Sequence, residues 1–175
     1  MSSIYLIDGY NLLHHTPKLR NLVRTDFEAA RDALAAMVTI WCSASGHQAK
    51  IIFDGRGPLH ESSTPPLSGK GVEIIYGPGH LTADTVIERM VYNTGQRQSY
   101  VVVTGDRGIR DLCQHMGAFV MTPAHFLTGL NETQTTMRET IEHKSSGNIK
   151  SLEDRLDSGT LAQLQELKDK LKDKG

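Results

Sequence analysis

The chain has little cysteine and no excess of either charge. Its two cysteines, Cys42 and Cys113, lie far apart within apolar, helix-like patterns, so the 175 residues contain neither a disulfide framework nor a cysteine-based zinc site. Lysine and arginine together number 19 and aspartate and glutamate 20, which gives a net charge of −1. This balance excludes the overall basic character of many nucleic-acid-binding proteins, so any contact with nucleic acid must be local.

Long apolar runs and several common enzyme motifs are also missing. No apolar run approaches membrane-spanning length and no signal-peptide pattern precedes the first predicted strand, so we expect a cytosolic protein with no membrane partner. The sequence has no Walker A motif, no Gly-x-Gly-x-x-Gly after its first strand and no Gly-x-Ser-x-Gly elbow. The eight histidines are scattered, with His14-His15 the only adjacent pair, and a surface or packing role is the commoner one for each.

What the chain does contain is a regular alternation of strand-like and helix-like segments. Short apolar runs predict buried strands at residues 4–7, 49–53, 72–76, 99–104 and 118–121. Capping signals predict a long helix that starts at the Thr25–Glu28 capping box and ends at Gly46, and a second helix with Thr82 as its N-cap. Residues 12–24 and 55–70 lack such patterns and are predicted to be irregular. The alternation predicts an α/β fold, a three-layer α/β/α sandwich with a mainly parallel central sheet.

The C-terminal part of the chain follows a different pattern. Ser145–Asn148 is predicted to be a linker and Leu152–Lys174 a charged helix with a leucine stripe. We therefore predict two regions, a domain at residues 1–145 and a linker with a C-terminal helix at residues 146–175. The helix is expected to pack on the domain or on a second subunit, which leaves a homodimer open; a specialised binding tail is the alternative.

Acidic residues follow three of the predicted strands. Asp8, Asp54 and Asp106 come after buried strands, and Asp84, with Glu88 one turn later, opens a helix. Because strand carboxyl ends and helix N-termini share one edge of a parallel sheet, these groups are expected to converge where ligands bind in such sheets. Crowded carboxylates raise each other's pKa, and a bound hard cation such as Mg²⁺ relieves the repulsion. Taken alone, Asp8 is equally well explained as a cap on the following turn.

Four short motifs resemble those of the NYN domain family, and more closely those of its YacP-like branch, relatives of the PIN-domain nucleases. They are Ile7-Asp8-Gly9-Tyr10-Asn11, Phe53-Asp54-Gly55, Ala83-Asp84 with Glu88, and Val103-Thr104-Gly105-Asp106 with Arg110-Asp111. The resemblance spans about residues 4–130. It implies a PIN-like sandwich, divalent-metal-dependent endoribonuclease activity with 5′-phosphate and 3′-hydroxyl products, and a connection with ribosome-associated mRNA cleavage.

The resemblance also implies roles for particular residues. Three of them would be the metal-binding acids: Asp8, Asp84 and Asp106. Asn11 would orient a ligand water or a scissile phosphate oxygen, and Asp111 would assist through a second metal or a water.

The sequence therefore predicts a Mg²⁺- or Mn²⁺-dependent endoribonuclease that cleaves single-stranded RNA, with mRNA and the ribosome as implied partners. Four basic residues are candidates for phosphate contacts near the same edge, with solvated surface charge as the competing interpretation: Arg56, Lys70, Arg107 and Arg110. An RNA- or ribosome-binding module with a weak or inactive acidic site is the main alternative, and a metal-dependent phosphatase acting on small phosphate esters is a third. The roles of Asp54 and Glu88 stay open.

Overall fold

A sheet of parallel strands lies at the centre of the fold. The computed structural model describes residues 2–55 and 69–153, with side chains up to residue 142. The strands within these residues are β1 (Ile4–Asp8), β2 (Gln48–Phe53), β3 (Val72–Tyr76), β4 (Tyr100–Val103) and β5 (Phe119–Met121). They form one sheet in the order β3-β2-β1-β4-β5, and every neighbouring pair is parallel. The predicted α/β fold with a parallel central sheet is confirmed.

Helices connect the strands. Their bounds are α1 (Gly9–His15), α2 (Pro17–Arg20), α3 (Leu22–Thr25), α4 (Phe27–Ser45), α5 (Ala83–Asn93), α6 (Arg107–His115) and α7 (Pro123–Glu153). The prediction that residues 12–24 are irregular is wrong, because α1, α2 and α3 fill this segment. Each is too short to show helical periodicity in the sequence, and they are held by buried Leu12, Leu13 and Leu19 and by Pro17 at the start of α2.

The long helix α4 begins slightly later than the capping box indicated. Its N-cap is Asp26, not Thr25, and the Asp26 side chain accepts a hydrogen bond from the backbone N–H of Ala29 at 2.9 Å. The helix ends at Ser45 and Gly46 is its C-cap, as predicted, with a φ of 72°, the left-handed conformation that glycine adopts without strain. Thr82 caps α5, also as predicted.

An apolar cluster covers each face of the sheet, because successive side chains of a strand point to opposite faces. On one face Ile7 and Phe53 pack in the same cluster as Leu34 of α4. On the other face Leu6 packs in a cluster with Ile87 of α5. Both cysteines are buried free thiols, one in each cluster, as expected. Helices on both faces complete the predicted three-layer sandwich.

The strand order reverses beside β1. The chain moves from β1 to β2 and β3 on one side and returns to β4 on the other, so the order switches between β1 and β4. Ligands bind in the crevice at such a switch point in open α/β sheets, outside the carboxyl ends of the strands. Asp8 ends β1 and Thr104 follows β4, so two of the four motifs flank this crevice.

Lys70 lies at the opposite edge of the sheet. It precedes β3, and the adjacent Gly71 accepts a hydrogen bond from the N–H of Ala49 near the start of β2. The predicted position of Lys70 beside the acidic residues is therefore wrong. A connection between two parallel strands must run from the carboxyl edge to the amino edge, so its last residues lie far from its first. Arg56 lies outside the described residues.

Helix α7 continues through the segment predicted to be a linker. Its backbone is helical from Pro123 to Glu153, including residues 145–148, so the linker prediction is wrong. Serine, glycine and asparagine cost at most about 1 kcal/mol each inside a helix, and a long helix outweighs this once it has formed. Within the described residues, no helix combines the length and apolarity that crossing a membrane requires.

The chain divides into two compact units, Met1–Gln134 and Thr135–Gly175. The first contains the sheet and the clusters on both of its faces. In the second, the described part is the later half of α7, on which Met137 and Ile141 are exposed. Of the helix predicted over residues 152–174, residues from 154 onward lie outside the described part of the chain. A functional division near residue 145 stays a prediction.

Candidate active site

Asp8 ends β1 and is a buried acid, with 9% of its surface exposed. Its Oδ1 atom accepts a hydrogen bond from the backbone N–H of Asn11 at 3.0 Å and caps α1, while Oδ2 accepts a longer one from the Thr104 hydroxyl at 3.4 Å. Burial raises the pKa of Asp8 to about 6; the carboxylates of Asp84 and Asp54 add to the rise, and the two hydrogen bonds oppose it. Asp8 is therefore both a cap and a member of an acidic cluster.

Asp84, in the first turn of α5, is a second perturbed acid. Burial raises its pKa, and the carboxylates of Asp106 and Asp54 raise it further. Its Oδ1 atom is buried and has no hydrogen-bond partner. Asp54 accepts a hydrogen bond from the N–H of Ala83 at 2.6 Å, which ties the end of β2 to the start of α5. The acids that influence one another at this edge of the sheet are Asp8, Asp54, Asp84 and Asp106.

Asn11 is fastened to the turn that follows β4. The N–H of Gly105 donates to Asn11 Oδ1 at 3.0 Å, and since that atom must be the acceptor, the Nδ2 group keeps its two hydrogens for other partners. The Asp106 N–H donates to the Thr104 hydroxyl at 3.2 Å, and the Asp106 carboxylate caps α6 by accepting from the N–H of Ile109 at 3.1 Å. Gly105 leaves no room for a side chain, because a Cβ there would lie 2.8 Å from Asn11 Oδ1.

Tyr10 forms part of the wall behind the acids. Its ring packs against Phe27 and Phe53, with centroid distances of 5.1 and 5.4 Å, and its hydroxyl is buried without a hydrogen-bond partner. Burial and the carboxylate of Asp54 raise its pKa. Gly9 must lack a side chain here, since a Cβ would meet the Phe53 ring within 3 Å. Tyr10 therefore packs in the wall of the site.

The donor set suits a hard divalent cation that uses few protein ligands. Mg²⁺ binds oxygen and commonly takes one or two carboxylates, with waters and substrate phosphate as its other ligands. The buried Asp84 Oδ1, which lacks a hydrogen-bond partner, is an oxygen that such an ion would satisfy. Within residues 2–55 and 69–142, no three His, Cys, Asp or Glu side chains lie close enough to hold one ion together. The geometry therefore fits an open site and not a closed cage of three acids.

The motifs and the geometry agree with a comparison of the whole chain. A family model described as the YacP-like NYN domain matches residues 5–169. The chain belongs to this family. The match reaches well beyond residue 130, so the extent predicted for the YacP-like resemblance is wrong. The four motifs end at Asp111, and a charged helix without motif residues carries no family signal that can be recognised in a single sequence.

One curated protein and two crystal structures from Bacillus subtilis are similar to this chain. The curated relative named Uncharacterized protein YacP, from strain 168, is 32% identical over 87 residues, so the match spans half of this chain and half of that protein. The crystal structure of Rae1 (YacP) superposes with a TM-score of 0.70 at 23% identity and covers 98% of this chain and 93% of that one. Its W164L mutant gives 0.69 at 23% identity, over 82% and 84%. At this identity the structural likeness concerns the fold.

Some of the predicted site residues are not among the acids that raise each other's pKa. Asp111 is exposed on α6 and is not among the carboxylates that raise the pKa of Asp8 or Asp84. Arg107 is exposed at the first position of α6, and Arg110 is half-buried, with an Nε that has no hydrogen-bond partner. The catalytic role of Asp111 and the phosphate contacts of the two arginines stay predictions.

Two residues to which the sequence analysis assigned no role take part in the candidate active site. Asp54 influences both perturbed acids and anchors α5, and its signal in the sequence is the strand–Asp–Gly pattern that it shares with Asp8. Thr104 is fully buried and joins Asp8 to the N–H of Asp106. Its signal is the Thr-Gly-Asp motif, in which the threonine had no separate role. Glu88 is exposed on α5; burial raises the pKa of Cys113, and the Glu88 carboxylate adds to that rise.

Proposed function

We propose that this protein is a divalent-metal-dependent endoribonuclease that cleaves single-stranded RNA. Membership of the YacP-like NYN family supports a nuclease-type, RNA-related function. The observation that carries the proposal is the acidic cluster at the β1/β4 crevice, where burial and mutual repulsion raise the pKa of Asp8 and Asp84. Perturbed acids of this kind gather at functional sites, because ionising them in a crowded, buried place is costly.

Asp8, Asp84 and Asp106 are the proposed acids of the Mg²⁺ or Mn²⁺ site, in which one or two of them would contact the ion directly and the rest would act through its waters. Asp54 adds negative charge beside them. When bound, the cation neutralises charge on the phosphodiester and lowers the pKa of the attacking water. Asn11 accepts the Gly105 N–H through Oδ1, so its two Nδ2 hydrogens are available to other partners. They can donate to a phosphate oxygen and so orient the scissile group. We expect 5′-phosphate and 3′-hydroxyl ends, which result when water displaces the 3′ oxygen.

Basic residues at the start of α6 are proposed to contact the RNA backbone. Arg107 is exposed, and Arg110 has an Nε without a hydrogen-bond partner. Both follow Asp106, so they lie at the same edge of the sheet as the acids. Because the net charge of the chain is only −1, such local contacts would supply the attraction for phosphate. Asp111, also on α6, is proposed to assist through a water.

The substrate is proposed to be mRNA in the cytoplasm, with the ribosome as a partner that delivers it. This part of the proposal follows from the family resemblance. Co-sedimentation of the protein with ribosomes at about 0.1 M salt tests it. Sedimentation that is the same with and without ribosomes would contradict the proposed partner while leaving RNA cleavage by the free protein unaffected.

Cleavage of a short single-stranded RNA, measured with and without Mg²⁺ or Mn²⁺, tests the activity. Asp84→Asn keeps the shape of the side chain and removes its charge, so it should lower the cleavage rate by at least about a hundredfold. Glu73→Gln is the matched control, because Glu73 is an exposed carboxylate on β3 that pairs with Lys50 away from the cluster. The control should stay within about twofold of wild type. If the Asp84→Asn protein cleaved RNA at the wild-type rate, the proposed site would be refuted.

An RNA- or ribosome-binding module with an inactive acidic site is the second candidate. It is favoured by the finding that, in the described part of the chain, no three potential metal ligands lie close together. It predicts RNA binding that Asp84→Asn leaves intact and no metal-dependent cleavage. Hydrolysis of nucleotides or small phosphate esters in place of RNA would indicate the phosphatase instead.

A further inference from the structure

His15 lies beside the proposed catalytic site, although its place in the sequence indicates no catalytic role. It is the last residue of α1 and is exposed. Its Cε1 atom would be 3.3 Å from a Cβ placed on Gly105, in the same position where that Cβ would meet the amide of Asn11. The imidazole ring therefore lies against the turn that joins β4 to α6, on the rim of the β1/β4 crevice.

One hydrogen bond determines which ring nitrogen of His15 carries the proton. Nδ1 lies 2.8 Å from the backbone carbonyl oxygen of Asn11. A carbonyl oxygen can only accept, so Nδ1 must be the donor. In the neutral ring Nε2 is then an acceptor. Because His15 is exposed, this acceptor is available to a substrate bound in the crevice.

A neutral Nε2 acceptor requires a donor on the substrate. Base amino and imino groups can donate, but they do so in RNA and DNA alike. Within the sugar–phosphate backbone the phosphate oxygens and the bridging O3′ and O5′ atoms only accept, whereas the ribose 2′-hydroxyl beside each 3′-phosphate can donate. We propose that His15 Nε2 accepts a hydrogen bond from the 2′-hydroxyl of a nucleotide at the cleavage site and thereby favours RNA over DNA. This inference rests on the proposed function and adds to it the residue that distinguishes the sugar.

The chain offers a matched control in His115. Its Nδ1 makes the same bond, 2.6 Å from the carbonyl oxygen of Asp111 four residues earlier, and its side chain is also exposed. It ends α6, whereas the acidic cluster lies at the start of that helix, roughly 12 Å away for a helix of this length. If the loss of any exposed histidine lowered the cleavage rate, substitution of His15 and of His115 should lower it equally.

The test pairs removal of the histidine with removal of single 2′-hydroxyls. Cleavage of a short single-stranded RNA is compared with that of strands carrying one 2′-deoxy nucleotide at successive positions, all at the same pH. In wild type, one position should slow cleavage about fivefold to tenfold, the effect of losing one neutral hydrogen bond. His15→Phe keeps a ring without the acceptor. It should slow all-RNA cleavage by the same factor and no longer respond to that position, whereas His115→Phe should behave as wild type.

Two results would overturn the inference while RNA cleavage itself stands. One is that His15→Phe and His15→Ala keep the full wild-type response to the 2′-deoxy position. The other is that no single 2′-deoxy position slows the wild type. Failure of the wild type to cleave RNA would instead overturn the proposed function. Equilibrium binding of the same strands then decides on His15: RNA preference that His15→Phe abolishes supports the inference, and equal binding of both strands by wild type contradicts it.

Discussion

The two edges of the sheet offer a ligand different things. Beside the starts of β1, β4 and β5, the amino edge has an open pocket of about 800 Å³, lined by residues that include Gly95, Arg97 and Phe119. The carboxyl edge has instead a cluster of acidic side chains. There the pKa of Asp8 and of Asp84 is raised, and a buried carboxylate oxygen of Asp84 lacks a hydrogen-bond partner.

Cavity volume alone therefore does not indicate where the active site of this protein lies. In the amino-edge pocket, two polar side chains have partners within the chain: the Arg97 guanidinium lies 3.5 Å from the carbonyl oxygens of Met116 and Tyr92, and the Ser99 hydroxyl donates to the carbonyl of Gln96 at 2.6 Å. At the carboxyl edge, repulsion between acids is left unrelieved. Groups that a ligand or ion would satisfy are the better indication of function.

The contrast is sharpest in one glycine from each edge. Gly105→Ala brings a Cβ to 2.8 Å from Asn11 Oδ1, so the hydrogen bond between Asn11 and the turn must break or shift. We expect cleavage to fall at least a hundredfold or so and the free energy of unfolding by about 1–3 kcal/mol. Gly95→Ala meets no atom within 4 Å and should change unfolding by no more than about 0.5 kcal/mol.

Denaturant unfolding and RNA cleavage, measured on both variants, check this expectation. Equal behaviour of the two alanines would mean that the Asn11 contact does not organise the site. A folded Gly105→Ala protein with wild-type cleavage would contradict the role given to Asn11, whatever its stability.

Asp8→Asn should make the metal-free protein more stable above pH 6. The folded state raises the pKa of Asp8 from 3.8 to about 6, so folded protein holds this proton to a higher pH than unfolded protein does. Stability from this group is therefore complete below pH 3.8 and is lost as pH rises through 6. Asparagine caps a helix about as well as aspartate, so the gain should approach about 1–3 kcal/mol at pH 8.

Urea unfolding with a chelator present, at pH 4 and at pH 8, measures the effect. The difference between Asp8→Asn and wild type should be small at the lower pH and large at the higher one. Glu73→Gln, which removes an exposed carboxylate, should show no such divergence. Parallel pH profiles for Asp8→Asn and wild type would contradict the burial and repulsion described for Asp8.

The strands and the long helix could be predicted from the sequence because each carries its signal locally. The run Ile4–Ile7 is apolar and short, and Gly46 ends α4 with the conformation that glycine favours. Segments below about two helical turns, such as Leu22–Thr25, carry no readable period and depend on burial for their stability. The strand order is not local at all, since it depends on which apolar faces pair across the whole domain.

The candidate site could be predicted only to the level of which residue types gather. Parallel strands send Asp8, Asp84 and Asp106 to one edge, which follows from the alternation of strands and helices. The hydrogen bonds that fix the site join residues far apart in the chain, with Asn11 and Gly105 separated by 94 positions. No pattern in a single sequence indicates such a contact, and for the same reason His15 could not be recognised beside Gly105.

A cation should stabilise the folded protein if the acids bind it. Mg²⁺ or Mn²⁺ at ten times its Kd contributes about 1.4 kcal/mol through binding to the folded state alone, which appears as a rise in Tm. Asp106→Asn should reduce the rise and still cap α6, because asparagine is also a good N-cap. Glu73→Gln should keep the full rise. A wild-type Tm that does not move up to several millimolar cation would count against metal binding by the free protein.

The smallest expected effect separates the two edges by their exposed cations. Arg107 begins α6 at the carboxyl edge, whereas Lys70 precedes β3 at the amino edge, and both side chains are exposed. If RNA crosses the acidic cluster, each phosphate contact releases counterions and adds about 0.7 to the slope of log affinity against log salt for a single strand. Arg107→Ala should therefore flatten that slope by about 0.7, and Lys70→Ala should leave it unchanged. Binding of a short single-stranded RNA at several salt concentrations measures both slopes. A flatter slope for Lys70→Ala with no change for Arg107→Ala would mean that RNA follows the amino edge of the sheet and not the acidic cluster.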